Sequence, residues 1–277
     1  MSKILFSGTL ESPTVCNTTI ISAFYHIKSK HSYEDYLMWM INFLSLTDCM
    51  VIFTQPEMVS TIRSMRGSKK SSKSVIIPRS IQSFMMFHLL NKKQWEEQEL
   101  MDPDHYPGHT KELFMIWNEK TNMMKLAADI NPFSSTYFVW LDIGAVRHPK
   151  YNEEQLVKRI PHDYGVLLLN VDHFTENELH GVADFSHVDR IGGTTIGCDK
   201  ESLNQWHKAY YGVIGDYLDK GWFIGKDQNM MATTCVQTEL CLLLPGDTNH
   251  WFKMQEWFRG ESNEKYVRMK QKIRSKK

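Results

Sequence analysis

The chain has 277 residues, 42% hydrophobic and 12% aromatic, enough for one large α/β domain or two small ones with a substantial core and too apolar for a disordered chain. Its 32 lysines and arginines balance 32 aspartates and glutamates, so no overall field draws it to nucleic acid or anionic lipid. The five cysteines, at 16, 49, 198, 235 and 241, are odd in number and show no two-residue spacing of a zinc or redox motif, which predicts reduced thiols in a cytoplasmic compartment. The opening Met1-Ser-Lys-Ile-Leu-Phe-Ser-Gly8 lacks the apolar run and cleavage site of a secretion signal. The most apolar stretch, Met38 to Phe53, is broken by Asn42, Ser45, Thr47 and Asp48 and falls short of the ~20 apolar residues of a membrane span.

Thr18 to Tyr25 is a β-branched run that reads as a buried first strand. Ser32-Tyr-Glu-Asp35 has the spacing of a capping box, and Tyr33, Tyr36, Leu37, Met40 and Leu44 then recur with helical period. Cys49 to Phe53 is a second strand, Glu57 to Arg66 a second helix, and Val75 to Ile77 a third strand before Pro78. Asn91 to Gly108, rich in Glu, Asp and Pro, reads as a surface excursion. Leu113, Trp117, Thr121, Met124 and Ala128 mark a helix ending near Ile130, and Asn131-Pro-Phe133 turns the chain into a strand at Tyr137 to Leu141. Beyond lie a strand at Val166 to Asn170, an expected turn at Gly192-Gly193, a helix carrying Leu203, Trp206, Tyr210, Ile214 and Leu218, and a helical run from Asn229 to Thr238. The βαβαβ opening predicts a mostly parallel sheet with helices on both faces and a ligand at the carboxyl ends of its strands. The last thirteen residues hold seven lysines and arginines, which fits a solvated helix end or a weak membrane-surface contact.

Asn118-Glu-Lys120, Asn131-Pro-Phe133 and Phe138-Val-Trp-Leu-Asp-Ile-Gly144 resemble the HtrL/YibB family of bacterial proteins. So do Ile20 to Tyr25, Tyr36-Leu-Met-Trp39, Val51 to Thr54, Gly192-Gly193 and Gly225-Lys-Asp-Gln228, in the family's order. The resemblance implies a GT-A-like, Rossmann-like three-layer α/β/α fold over residues 1–277. Residues 18–147 would form a nucleotide-sugar-binding half, 148–258 an acceptor-binding half and 259–277 a basic tail. It further implies a glycosyltransferase that takes a sugar from a nucleotide-diphosphate donor, a UDP-sugar favoured, to a glycan acceptor, in the cytoplasm of a bacterium or a virus-infected host cell.

That reaction must stabilise a departing diphosphate, a task commonly given to a divalent metal, Mn2+ or Mg2+, held by carboxylates. Asp142, at a strand end, is the expected ligand, although Gly144 stands where such folds usually repeat the aspartate. His250 is the candidate second ligand; without a metal, Lys120 and Arg147 would neutralise the diphosphate. Ser22, Ala23, Phe24 and Tyr25, with Phe53, are expected beside the nucleobase, and Gly192 and Gly193 beside the sugars. Asp227, followed by Gln228, is the expected catalytic carboxylate, taking the acceptor's proton in an inverting reaction. Trp222, Trp251, Phe252 and Trp257 are candidates for stacking on sugars. A non-catalytic nucleotide-sugar or glycan binder is the alternative; a nucleotidyltransferase and a hydrolase fit less well, the former for want of a glycine-rich loop after the first strand.

Overall fold

The computed structural model describes residues 14–180 and 184–269. The elements run β1 (Thr18–Phe24), α1 (Tyr33–Ser45), β2 (Cys49–Thr54), α2 (Val59–Arg66), β3 (Ser74–Pro78), α3 (Met85–Leu89), α4 (Lys92–Leu100), α5 (Lys111–Ile130) and β4 (Tyr137–Leu141). There follow β5 (Val166–Asn170), α6 (Glu176–His180), β6 (Ile191–Asp199), α7 (Lys200–Asp219), α8 (Asp227–Gln237), β7 (Cys241–Pro245), α9 (Lys253–Arg259) and β8 (Val267–Arg268). The capping box at Ser32 forms as expected, Ser32 Oγ accepting from Asp35 N and Asp35 accepting from Ser32 N.

The strands make one sheet in the order β3-β2-β1-β4-β6-β5-β7-β8. β3, β2, β1 and β4 are mutually parallel, as are β5 and β7, while β6 runs antiparallel to both its neighbours and β8 antiparallel to β7. Alternate strand residues enter two cores, one on each face. Ile21, Val51, Phe138 and Leu168 face a layer that includes Met123 and Ala127 of α5 and Trp206 of α7. Ile20, Ile52, Val139 and Leu167 face Phe43 and Leu44 of α1 and Phe258 of α9. A sheet buried on both sides explains why its strands read as continuous apolar runs rather than as alternating ones.

Four expectations are corrected. Gly192 and Gly193 form no turn but sit inside β6, where Gly192 pairs with Leu169. The 91–108 segment is not merely a surface excursion: it folds into α4 and buries Trp95, Gln98 and Asp102. Cys16 is bonded to Cys49 and Cys235 to Cys241, leaving Cys198 as a buried thiol, so the odd count concealed two pairs. The described part of the basic tail is not a helix end, because Val267–Arg268 pairs along β7; residues 270–277, like the opening residues 1–13, lie outside the described residues. Among the described residues no helix is long and apolar enough to cross a membrane.

Arg66 fastens the β2–β3 side of the sheet. It is buried, and its guanidinium donates to the carbonyls of Leu44, Leu46 and Asp48, while Nε donates to Ser74 Oγ at 2.7 Å. Burial lowers its pKa to about 10 in spite of the nearby Asp48 carboxylate. These bonds tie the end of α1, the start of β2 and the start of β3 to one side chain. Arg66→Met leaves three buried carbonyls without that donor and should cost about 3 kcal/mol, read as a lower urea midpoint at unchanged slope.

Candidate functional site

Because β2 and β3 build outward from one side of β1 while β4 joins the other side, the sheet reverses direction of growth between β1 and β4. The crossover connections leave in opposite directions there, which opens a crevice at the carboxyl ends of the two strands. A cleft occupies that crevice. One wall is the end of β1 and the chain after it, Ala23 to Ile27; the other is the chain after β4, Asp142 to Ala145. Tyr33 and Tyr36 of α1 and Ile116, Trp117 and Lys120 of α5 complete the lining, with Arg147 and Phe252.

The cleft's charged floor centres on Lys120, whose side chain is 4% exposed. Its Nζ lies 2.8 Å from Asp227 Oδ2 and 3.1 Å from Asp142 Oδ1, and it donates to the Gly193 carbonyl at 2.8 Å. Burial pulls the lysine's pKa down, but the two carboxylates outweigh it and hold the ammonium above its ordinary value. Asp227 is pushed up by burial, which outweighs the attraction of Lys120. Asp142 differs: its side chain is 33% exposed, and its Oδ1 also accepts from Trp140 Nε1 at 2.7 Å. Its backbone N–H bonds to Thr194 O at 2.9 Å, fixing the strand end against β6.

Glycines permit these approaches. A Cβ on Gly193 would stand 2.9 Å from Asp227 Oδ1, so only glycine lets the first turn of α8 rest on β6. A Cβ on Gly144 would stand 3.1 Å from the Trp39 ring. A side chain at position 144 would therefore press on Trp39 of α1. The Arg147 guanidinium stacks on the other part of this aromatic group, 3.5 Å from the Trp39 ring centroid, and its Nε donates to Gly144 O at 2.7 Å.

Of the expected site residues, Ala23, Phe24, Tyr25, Lys120, Asp142, Gly144 and Arg147 are brought to the cleft. Ser22 is fully buried and donates to Leu141 O, joining β1 to β4, and Phe53 lies in the core. Gly192, Gly193, Asp227 and Gln228 form a layer behind Lys120, where Gln228 Nε2 donates to Ile191 O at 2.9 Å. His250 is exposed, paired with Asp247 at 3.1 Å, and lines a neighbouring groove rather than the cleft. Trp222 and Trp257 pack in or against the cores, and Trp251 offers its carbonyl to Thr194. Sequence reasoning missed Tyr33, Tyr36, Trp39, Trp117 and His26. The signal was the three-residue spacing of aromatics along α1, read there as a core stripe although half of that stripe faces the cleft.

The metal-capable group lies elsewhere. One ligand atom from each of Asp102, Asp104 and His109 falls within 4.8 Å of the others, so this set could hold an ion. It already carries its own partners, Asp102 bonding His109 Nδ1 at 2.8 Å and Asp104 pairing with Lys226 at 2.6 Å.

Removal of the bridging cation tests this floor. Lys120→Met should cost about 3 kcal/mol, since it strands a buried carboxylate. The sign with pH follows from Asp227, whose folded-state pKa is already raised by burial and rises further without the lysine. The folded state then keeps a proton that the unfolded chain releases, so the variant should lose stability as pH rises from about 4, the ordinary carboxylate value. Urea melts across the acidic range read this directly, and addition of Asp227→Asn should remove the slope.

Comparison with known proteins places this architecture in a lineage. The chain is 22% identical over 224 residues to Protein HtrL of Escherichia coli (strain K12), covering 72% of this chain and 76% of that protein. The family described as "Bacterial protein of unknown function (HtrL_YibB)" matches residues 16–260, a span that holds every residue of the cleft and its floor, and the chain belongs to that family.

Proposed function

We propose that the protein is a glycosyltransferase that moves a sugar from a nucleotide-diphosphate donor, a UDP-sugar favoured, to a hydroxyl of a glycan or glycoconjugate. The observation that carries this reading is an aromatic-walled cleft at the carboxyl ends of β1 and β4 with a carboxylate–ammonium–carboxylate group at its floor. Phe24, Tyr33, Tyr36 and Trp117 offer ring faces to a nucleobase, and Arg147 and Lys120 offer positive charge to the diphosphate.

A divalent ion shared by Asp142 and His250 does not suit these residues. Lys120 and Trp140 already engage the Asp142 carboxylate, position 144 carries no acid and lies close against Trp39, and His250 belongs to another groove. The task of stabilising the leaving group therefore falls to Lys120 and Arg147. In the transfer, the acceptor oxygen bonds to the anomeric carbon, the bond from that carbon to the phosphate oxygen breaks, and the nucleoside diphosphate departs. The hydroxyl proton passes to a carboxylate. For an inverting reaction that carboxylate must touch the cleft, as Asp142 does; Asp227, expected in this role, lies behind Lys120 and acts as its positioning residue.

A second reading, a nucleotide-sugar or glycan binder without turnover, is favoured by the same ion pair, since Lys120 and Trp140 already occupy the Asp142 carboxylate. Nucleoside diphosphate release from UDP-, GDP- and CDP-sugars, with and without manganese, separates the two. Release without a metal requirement is expected from a UDP-sugar. Asp142→Asn should lower it at least about 100-fold while a UDP-induced rise in Tm persists. A shift without release points to the binder; undiminished release in the variant removes Asp142 from the mechanism.

A further inference from the structure

Beside the cleft, and sharing Ala145, Arg147 and Phe252 with it, runs a groove between the chain after β4 and the chain leading into α9. Its charges are lopsided. Three cations, Arg147, Lys150 and Lys253, and two imidazoles, His148 and His250, line it against a single carboxylate, Glu256. His250 is paired with Asp247 and Lys253 with Glu264, but Arg147, His148 and Lys150 form no ion pair among the described residues. His148 and Lys150 are exposed. Arg147 is held in place by Trp39 and by the Gly144 carbonyl, an arrangement that fixes its guanidinium at the junction of cleft and groove without using a carboxylate. Phe252, half-buried and 5.3 Å from that guanidinium, supplies an apolar face of the kind on which sugar rings stack.

We propose that this groove is the acceptor subsite, and that the acceptor is a glycan bearing an anionic group, a sugar carboxylate or a sugar phosphate, engaged by Arg147, His148 and Lys150. The word acceptor rests on the glycosyltransferase reading; the preference for an anionic sugar rests on the groove alone. An anion here gains charge-assisted hydrogen bonds that a neutral glycan does not, and Arg147 joins it to the end of the cleft where Asp142 is open. The overall neutrality of the chain hides the patch, because the excess is local.

The test measures Kd by titration for trigalacturonate, mannose 6-phosphate and neutral maltotriose, with no donor present. At least one charged probe should bind about tenfold more tightly than maltotriose, and the advantage should shrink with added salt. Preference for trigalacturonate assigns the carboxylate, preference for mannose 6-phosphate the phosphate. His148→Gln with Lys150→Gln, both on the surface and outside the donor cleft, should abolish the advantage while the UDP-induced rise in Tm is kept. Equal affinity for charged and neutral probes, or an unchanged advantage in the double variant, overturns the proposal even if nucleotide binds. Retention of the charge preference when no UDP, GDP or CDP species shifts Tm would instead support the groove and remove the transferase reading.

Discussion

The ammonium of Lys120 is shared by two carboxylates that lie 22 and 107 residues further along the chain, and the floor of the site depends on that sharing. An unpaired carboxylate at the depth of Asp227 would carry a desolvation cost of several kcal/mol. One fully buried ammonium offsets that cost only when β4, β6, α5 and α8 are all in register around it. The glycine at 193 is part of the same condition, since its carbonyl takes a bond from the lysine and its missing side chain leaves room for Asp227.

Two neighbours of Lys120 on the same helical turn hold α5 in that register. Asn118 Nδ2 donates to the carbonyls of Ile224 and Gly225, just ahead of α8, and its Oδ1 accepts from Tyr210 of α7 at 2.7 Å. Glu119, fully buried, accepts from the backbone N–H groups of Met85 and Met86 at the start of α3 and pairs with Arg79 at 2.7 Å. Three consecutive polar residues therefore point in three directions, toward α8, α3 and β4. A substitution at any of them disturbs the geometry of the other two, which makes the turn a single cooperative unit rather than three separate contacts.

Much of the scaffold was legible because its central strands are buried on both faces and stand out as apolar runs: β1, β2, β4 and β5 fall where the sequence places them, and so does the half-buried edge strand β3. So was the emergence of Asp142 at a strand end. Less was legible beyond residue 170. A glycine pair ordinarily marks a turn, and nothing local says that Gly193 in β6 admits a carboxylate from 34 residues downstream. Cysteine pairing is likewise non-local, set by β2 lying beside the chain that enters β1. The aromatic face of α1 had a visible period, but period alone does not distinguish packing against a core from lining a cleft. Asp227 was recognised as an acid of interest; its depth, and so its role, depends on how α8 docks.

Arg147 connects these local arrangements to the two surfaces on which the proposed reaction depends. Its guanidinium lies against Trp39, and its burial lowers its pKa, an effect that the surrounding acids and tyrosine oppose without cancelling. It reaches both cleft and groove, whereas Lys120 reaches only the cleft. On the proposed reading a donor diphosphate and an acceptor anion would compete for this one cation. Lys120 is then the charge that stays with the donor, and the exposed Lys150 and His148 of the groove leave the fixed Arg147 guanidinium available to the diphosphate as charge develops on it. The separation of cations into a buried one and exposed ones thus matches a division of labour between leaving group and acceptor, and it needs no second carboxylate at position 144.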